Sequence, residues 1–332
     1  MPEPTMADIA THLGVSRQLV SIVMRDMPGA SDATRERVRQ AASELGYQPH
    51  IGARSLRQTR STQIGVSFAP AHLTEPDIVE AIYPEVTGAG YRVVLSAQTA
   101  TRTTTQAVDE LLGYRCAALV VLGSDLSDPR MRALARRAKV PVVVIGAGVP
   151  NSAYDVVRSD GAAGIALMVE HLVGLGHRRI AYVHASSMAP ADLRRQGYLS
   201  AAAAAGLELD VVQVPGKDYT EEAGATAARL LLRRSSLPTA VVAGNDQQAV
   251  GLVTTLSRSG VSVPDQVSVT GFDDSRAARL SCIDLTTARQ DPGLMGHAAV
   301  EAALRRIDQP DAAPSVALVQ PTAVVRSSTG PA

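Results

Sequence analysis

Within its first 46 residues the chain starts and stops a helix three times, each with its own punctuation, which confines this stretch to a bundle of short helices. Thr5 precedes an apolar periodic run, Met6, Ile9, Ala10 and Leu13, and Asp8 stands three residues behind it, the spacing of a capping box with Asp in the usual place of Glu. The spacing predicts a helix over 6–13. Gly14 can take positive φ and end it, and Ser16 can cap a second helix over 17–24. Ser31 caps a third that runs to Leu45, with Val38, Ala41, Ala42 and Leu45 as its buried stripe and Gly46 as its stop. Ala10, Val15, Val20 and Val23 complete a small core. Two helices joined by so tight a turn form a helix-turn-helix.

In such a unit the second helix enters the DNA major groove, and its early residues meet base edges. Here those residues are Arg17, Gln18 and Ile22. Arg pairs with guanine and Gln with adenine through two hydrogen bonds, whereas Ile offers apolar contact, for instance to a thymine methyl. The competing reading makes the three the solvated side of an ordinary helical hairpin, which would leave an exposed Ile without a purpose.

The order of these residues resembles the LacI/GalR family of bacterial transcriptional regulators. The resemblance rests on DIATHLGVS at 8–16, VS at 20–21, SDATRERV at 31–38 and LGYQPHIGARSLR at 45–57. It implies backbone contacts to DNA from Thr5, Ser16, Ser21 and Thr34. It also implies a hinge that becomes helical on the operator and enters the minor groove with His50, Ala53, Arg54, Leu56 and Arg57, Leu56 acting as the apolar wedge. Pro49 breaks the chain before this segment, and Gly52, Ser55 and Thr59 keep an isolated helix of this length unstable in water. Ile22 stands where many members carry Arg, and His50 where Asn is usual, so Arg17 and Gln18 carry most of the hydrogen-bond code.

Charge fits this reading. The chain has 32 basic and 32 acidic residues, yet through residue 60 there are eight Arg against six acids, with Arg54, Arg57 and Arg60 at the end of the stretch. That modest excess, doubled in a dimer, serves phosphate neutralisation, and neutrality elsewhere limits non-specific binding.

The rest of the chain exceeds a usual single domain and alternates short apolar runs with helical stretches. Strand candidates lie at 64–68, 91–97, 118–123, 140–146, 179–185, 211–215, 240–244 and 267–272, and helices at 130–138, 165–175, 191–204 and 222–233. Unbroken Val/Ile/Leu strands between helices predict parallel sheets covered on both faces. The expected fold class is α/β: a small all-α helix-turn-helix head and a two-lobed core of doubly wound parallel sheets. The resemblance identifies that core as periplasmic-binding-protein-like, with three crossings between lobes. The expected domains are a head at 1–48, a hinge linker at 49–61 and an effector-binding and dimerisation core at 62–332. The first lobe takes 62–160 and 291–320, the second 161–290 and 321–332.

A pair of such lobes encloses a cleft at the carboxyl ends of the strands. The motifs EHLVGLGHRRIAYV, RRQGY, AGNDQQAVG, VSVTGFDD, LTTARQD and VVRSST again fit the family. They imply effector contacts from Arg194, Asn245 and Asp273, with Gln290 nearby and Tyr219 at a position often held by a stacking aromatic. An acceptor carboxylate, a two-way amide and a planar donor fork suit a sugar or related metabolite. Arg194 can alternatively pair with Asp192, and Asn245 and Asp273 can cap the helices behind them. Gly146 and Ala69 stand where relatives place polar residues, so the first-lobe wall is expected to be poor in polar partners.

Enzyme chemistry finds no motif: there is no C-x-x-C, H-E-x-x-H, G-x-S-x-G or Walker loop, and no dinucleotide glycine spacing. His72, His177, His184 and His297 are not spaced as metal ligands, so no metal or cofactor is expected. Two cysteines and the absence of a leader or long apolar run point to the cytoplasm and away from membranes. The expectation is a homodimeric transcriptional repressor whose partners are a palindromic double-stranded DNA operator and a small-molecule effector. The alternative is a solute-binding protein of the same core, which needs an export signal and no head.

Overall fold

A computed structural model of the chain describes residues 4–47, 61–123, 127–146, 152–185, 189–215 and 219–332. It divides into two compact units, Met1–Ser61 and Thr62–Ala332.

In the first unit the local signals act as their chemistry requires. Helix α1 spans Met6–Leu13, α2 Arg17–Met24 and α3 Asp32–Glu44. The Thr5 hydroxyl accepts the Ala7 and Asp8 amides, and the Asp8 carboxylate accepts the Thr5 amide at 2.7 Å. Gly14 ends α1 at φ 66°, and the Ser16 and Ser31 hydroxyls accept the Leu19 and Thr34 amides. Ile9, Ala10, Val20, Val23, Val38, Ala41 and Ala42 form the buried centre. The turn between α2 and α3 is fixed by Asp26, whose carboxylate takes Arg39 at 2.8 Å and Arg35 at 3.3 Å.

The second unit holds the strands β1 Gln63–Phe68, β2 Arg92–Ala97, β3 Ala118–Leu122, β4 Val142–Ile145, β5 Asp155–Ser159, β6 Ile180–His184, β7 Asp210–Gln213, β8 Ala240–Val242, β9 Ser268–Asp273, β10 Thr286–Arg289, β11 Val316–Val319 and β12 Thr322–Val324. Its helices are α4 Glu75–Gly88, α5 Thr104–Gly113, α6 Asp128–Ala138, α7 Gly161–Gly174, α8 Ala189–Ala204, α9 Glu221–Leu232, α10 Asp246–Arg258 and α11 Pro292–Asp308. Two six-stranded sheets result, ordered β11-β5-β4-β3-β1-β2 and β12-β10-β9-β8-β6-β7. The chain therefore passes between them after β5, after β10 and after β11.

Each sheet is buried on both faces, as the apolar strands demand. In the first lobe α4 and α11 cover one face and α5 and α6 the other; in the second, α9 and α10 lie opposite α7 and α8. One pairing departs from the parallel expectation: β12 runs antiparallel to β10 at the sheet edge. Sequence patterning also missed β5, β10, β11 and β12, together with α4, α5 and α11, and it left α10 without bounds behind its Asn245 cap. Strand β10 reads TTAR, polar enough to resemble a loop, and α4 carries Pro84 inside it, a residue that argues against a helix interior.

Candidate functional site

In the head, Arg17 and Gln18 are exposed at the first turn of α2, as a reading helix requires. Ile22 is only half-exposed on the same helix, close to Gly29. Thr5 and Ser16 cap α1 and α2, the Thr34 hydroxyl meets that of Ser31 at 2.9 Å, and Ser21 is half-buried on α2. The hinge positions His50, Ala53, Arg54, Leu56 and Arg57 lie outside the described residues.

In the core, the five residues expected at the cleft converge at the carboxyl ends of the second sheet. Arg194 comes from α8; its Nη1 donates to the Gly244 carbonyl at 2.7 Å, and its Nη2 stands 3.5 Å from the Asp273 carboxylate. Its guanidinium lies 3.8 Å from the Phe272 ring centroid and 5.3 Å from that of Tyr219, a cation held over two π-faces. It does not pair with Asp192. Gln290, just past β10, donates through Nε2 to the same Asp273 oxygen that faces Arg194.

Asn245 caps α10 and also reaches the Tyr219 loop. Its Oδ1 accepts the Gln248 amide at 2.9 Å, while its Nδ2 donates to the Tyr219 carbonyl at 3.2 Å and ties that loop down. Gly244 is required beside it, because a Cβ there would stand 2.7 Å from the Tyr219 ring and 2.9 Å from Gln248 Oε1. Burial pushes the Tyr219 phenol up to about 12.

Asp273 corrects an expectation: it caps no helix. It ends β9 at φ 127°, and the next helical turn, Ala277–Arg279, has no side-chain cap. Burial raises its carboxyl above the usual range, opposed by Arg194, Gln290 and His72. Behind it lies buried Asp246, which accepts the Thr287 hydroxyl at 2.6 Å and the Ser275 amide at 2.7 Å. Burial first, and then the neighbouring Asp273, raise the Asp246 carboxyl as well.

The first-lobe wall is richer in polar groups than its sequence suggests. Glu75 is buried, accepts the Ala69 amide at 2.6 Å and meets His72 Nδ1 at 2.5 Å. Gly123, at φ 51°, makes room for that carboxylate, since a Cβ would stand 1.9 Å from its Oε1. Alongside, Gln98 donates to the Ser67 hydroxyl at 3.0 Å and the Leu122 carbonyl at 2.9 Å, and accepts Thr104 at 2.8 Å. Nothing in the sequence spacing ties His72 to Asp273; the signal for Glu75 was its place in the first turn of an unrecognised helix.

Two family models match. Residues 5–50 match the bacterial regulatory proteins of the lacI family, and residues 169–329 a periplasmic binding protein-like domain. The ribose operon repressor of Escherichia coli (strain K12) is 30% identical over 312 residues, 92% of this chain and 94% of that protein. The chain belongs to the LacI family.

Solved structures agree. A LacI transcriptional regulator from a Rhodococcus species superposes with a TM-score of 0.76 at 39% identity, covering 81% of this chain and 98% of the other. The lac repressor dimer bound to operator and the anti-inducer ONPF superposes at 0.84 with 28% identity, covering 99% of this chain and 100% of that one. As a LacI-family protein the chain is a DNA-binding transcriptional regulator with a helix-turn-helix head and a periplasmic-binding-protein-like core. Among the described residues no helix is long and apolar enough to cross a membrane.

Proposed function

We propose that this LacI-family regulator is a cytoplasmic, non-catalytic repressor that binds a two-fold symmetric operator as a homodimer and is controlled by a sugar-like metabolite in the cleft between its lobes. The head is assigned to 1–48, the hinge to 49–61 and the core to 62–332, divided between lobes as the sequence suggests. Arg17, Gln18 and Ile22 read the major groove, with Thr5, Ser16, Ser21 and Thr34 on the backbone and His50, Ala53, Arg54, Leu56 and Arg57 at the minor groove. Arg194, Tyr219, Asn245, Asp273 and Gln290 hold the effector.

The observation that carries the effector reading is the convergence of Arg194 and Gln290 on the Asp273 carboxylate, with Asn245 next to Gly244, whose carbonyl holds the same guanidinium. Such a group both donates and accepts toward vicinal hydroxyls, and Tyr219 supplies an aromatic ring beside it. His72 and Glu75 add a polar first-lobe wall. The lac repressor structure, a dimer on its operator, supports the two-fold DNA reading by likeness. The solute-binding alternative has no use for the head.

Selection of bound DNA from a random pool tests this reading, repeated with D-ribose, D-galactose and cellobiose. The expected product is a palindrome whose retention one class of sugar changes. Absence of any preference for symmetric duplexes over scrambled DNA would sink the proposal. Arg17→Ala should lose roughly 1–3 kcal/mol at its cognate base pair and relax discrimination there. Uniform weakening over all half-sites would count against base reading.

A further inference from the structure

Arg276 reaches from the second lobe to the first. Its Nε donates to Asp77 Oδ1 at 2.7 Å and its Nη2 to Glu80 Oε2 at 2.9 Å, both acceptors lying one turn apart on α4. Asp77 is largely buried, at 17% side-chain exposure, while Arg276 keeps 67%. One guanidinium thus answers two carboxylates of the opposite lobe.

The segment that presents Arg276 is unusually constrained. Asp273 and Asp274 take φ values of 127° and 55°, left-handed conformations that non-glycine residues hold only when their surroundings impose them. The Ser275 amide is bound by Asp246 at 2.7 Å, and the Asp274 carboxylate by Arg326 at 2.6 Å and Arg279 at 3.0 Å. Arg276 is therefore fixed relative to Asp273, three residues before it, with little slack between them.

We propose that Arg276 is an electrostatic latch that holds the two lobes together through Asp77 and Glu80, and that the rigid 273–276 turn couples a ligand on Asp273 to that latch. The latch stands on its own contacts; only its coupling rests on the reading of Asp273 as an effector residue. An exposed ion pair contributes little to folding, but lobe opening is an equilibrium that a small bias can shift. A ligand that pulls Asp273 displaces the guanidinium from α4 or seats it more firmly, and so changes the ratio of open to closed forms.

The test is the distance between the lobes in the full-length protein. Spin labels at Arg130→Cys and Ser200→Cys, with Cys282→Ser and labelled chains diluted into unlabelled protein, report it by pulsed electron resonance. Arg276→Gln is expected to raise the open-to-closed ratio about fivefold. Arg276→Glu, which sets three negative charges together, should open the lobes further, and adding Asp77→Lys and Glu80→Lys should restore the closed distance. Identical distance distributions in all these proteins would overturn the latch. Should a variant fail to fold, the wild-type distances in low and high salt decide the matter: salt should open the lobes, and salt-independence counts against the latch. Asp273→Ala, carried through the DNA selection with each sugar, tests Asp273 separately: it should bind the operator but lose the sugar response, and a normal response would remove Asp273 from the effector site while leaving the latch, read from the distances, untouched.

Discussion

Asp246 and Asp273 are two buried carboxylates, and the charge on Asp273 raises the affinity of Asp246 for protons. Burial is the larger cause for each, and for Asp246 the charge on Asp273 comes next. Replacing Asp273 with Asn removes that repulsion, so the Asp246 carboxyl should titrate closer to the ordinary value of 3.8, as read from carbon-13 shifts against pH. An unchanged Asp246 would show that burial alone sets it. The sign for stability follows from the raised value: folded protein retains a proton that unfolded chain releases. This contribution is complete below the ordinary carboxyl pKa and is lost as pH rises through the folded one. His177 behaves oppositely. Its Nε2 donates to the Gly330 carbonyl at 3.0 Å, so Nδ1 is the acceptor facing the Thr239 hydroxyl at 3.0 Å. Burial lowers its pKa below 6.5, so stability present above that value is lost as pH falls and the unfolded chain takes up the proton first. His177→Gln should therefore flatten the fall in urea midpoint below neutrality; an equally steep fall would assign it to other groups.

Helices α9 and α10 illustrate how an element is seated. A Cβ on Gly224 would stand 1.9 Å from the Gln248 carbonyl oxygen, and one on Gly251 1.8 Å from that of Glu221. The two glycines let the backbones touch, which brings the Asn245 cap and the Tyr219 loop into one site. Gly251→Ala should cost about 1–3 kcal/mol by forcing the helices apart, visible as a lower urea midpoint. A gain in stability, as expected from helix propensity alone, would show that the crossing has slack. The helices legible in the sequence were those with caps and clear apolar stripes, α1 to α3 above all. Helix α4 was hidden by Pro84, yet it carries Glu75 and Asp77, and so the first-lobe wall went unseen. Asp273 looked like a cap because Asp often is one; the chain instead uses it at a left-handed corner.

At the scale of the molecule, head and core each have their own buried centre. The core from Thr62 onward should thus fold alone, with the melting midpoint of the core in the intact protein, as followed by circular dichroism. Aggregation or a large fall in midpoint would show that the head supports it. Caps, turns and periodic apolar stripes were readable from sequence because they are satisfied within a few residues, so local chemistry decides them. The same holds for the alternation that made the core an α/β pair of lobes, since a strand buried on both faces must be apolar along its length. The edge strands, the His72–Glu75 couple near Asp273 and the bond from Arg276 to Asp77, residues 199 apart in the chain, could not be read this way. Their energy comes from partners that only the closed chain brings together, and no spacing along the sequence encodes that distance.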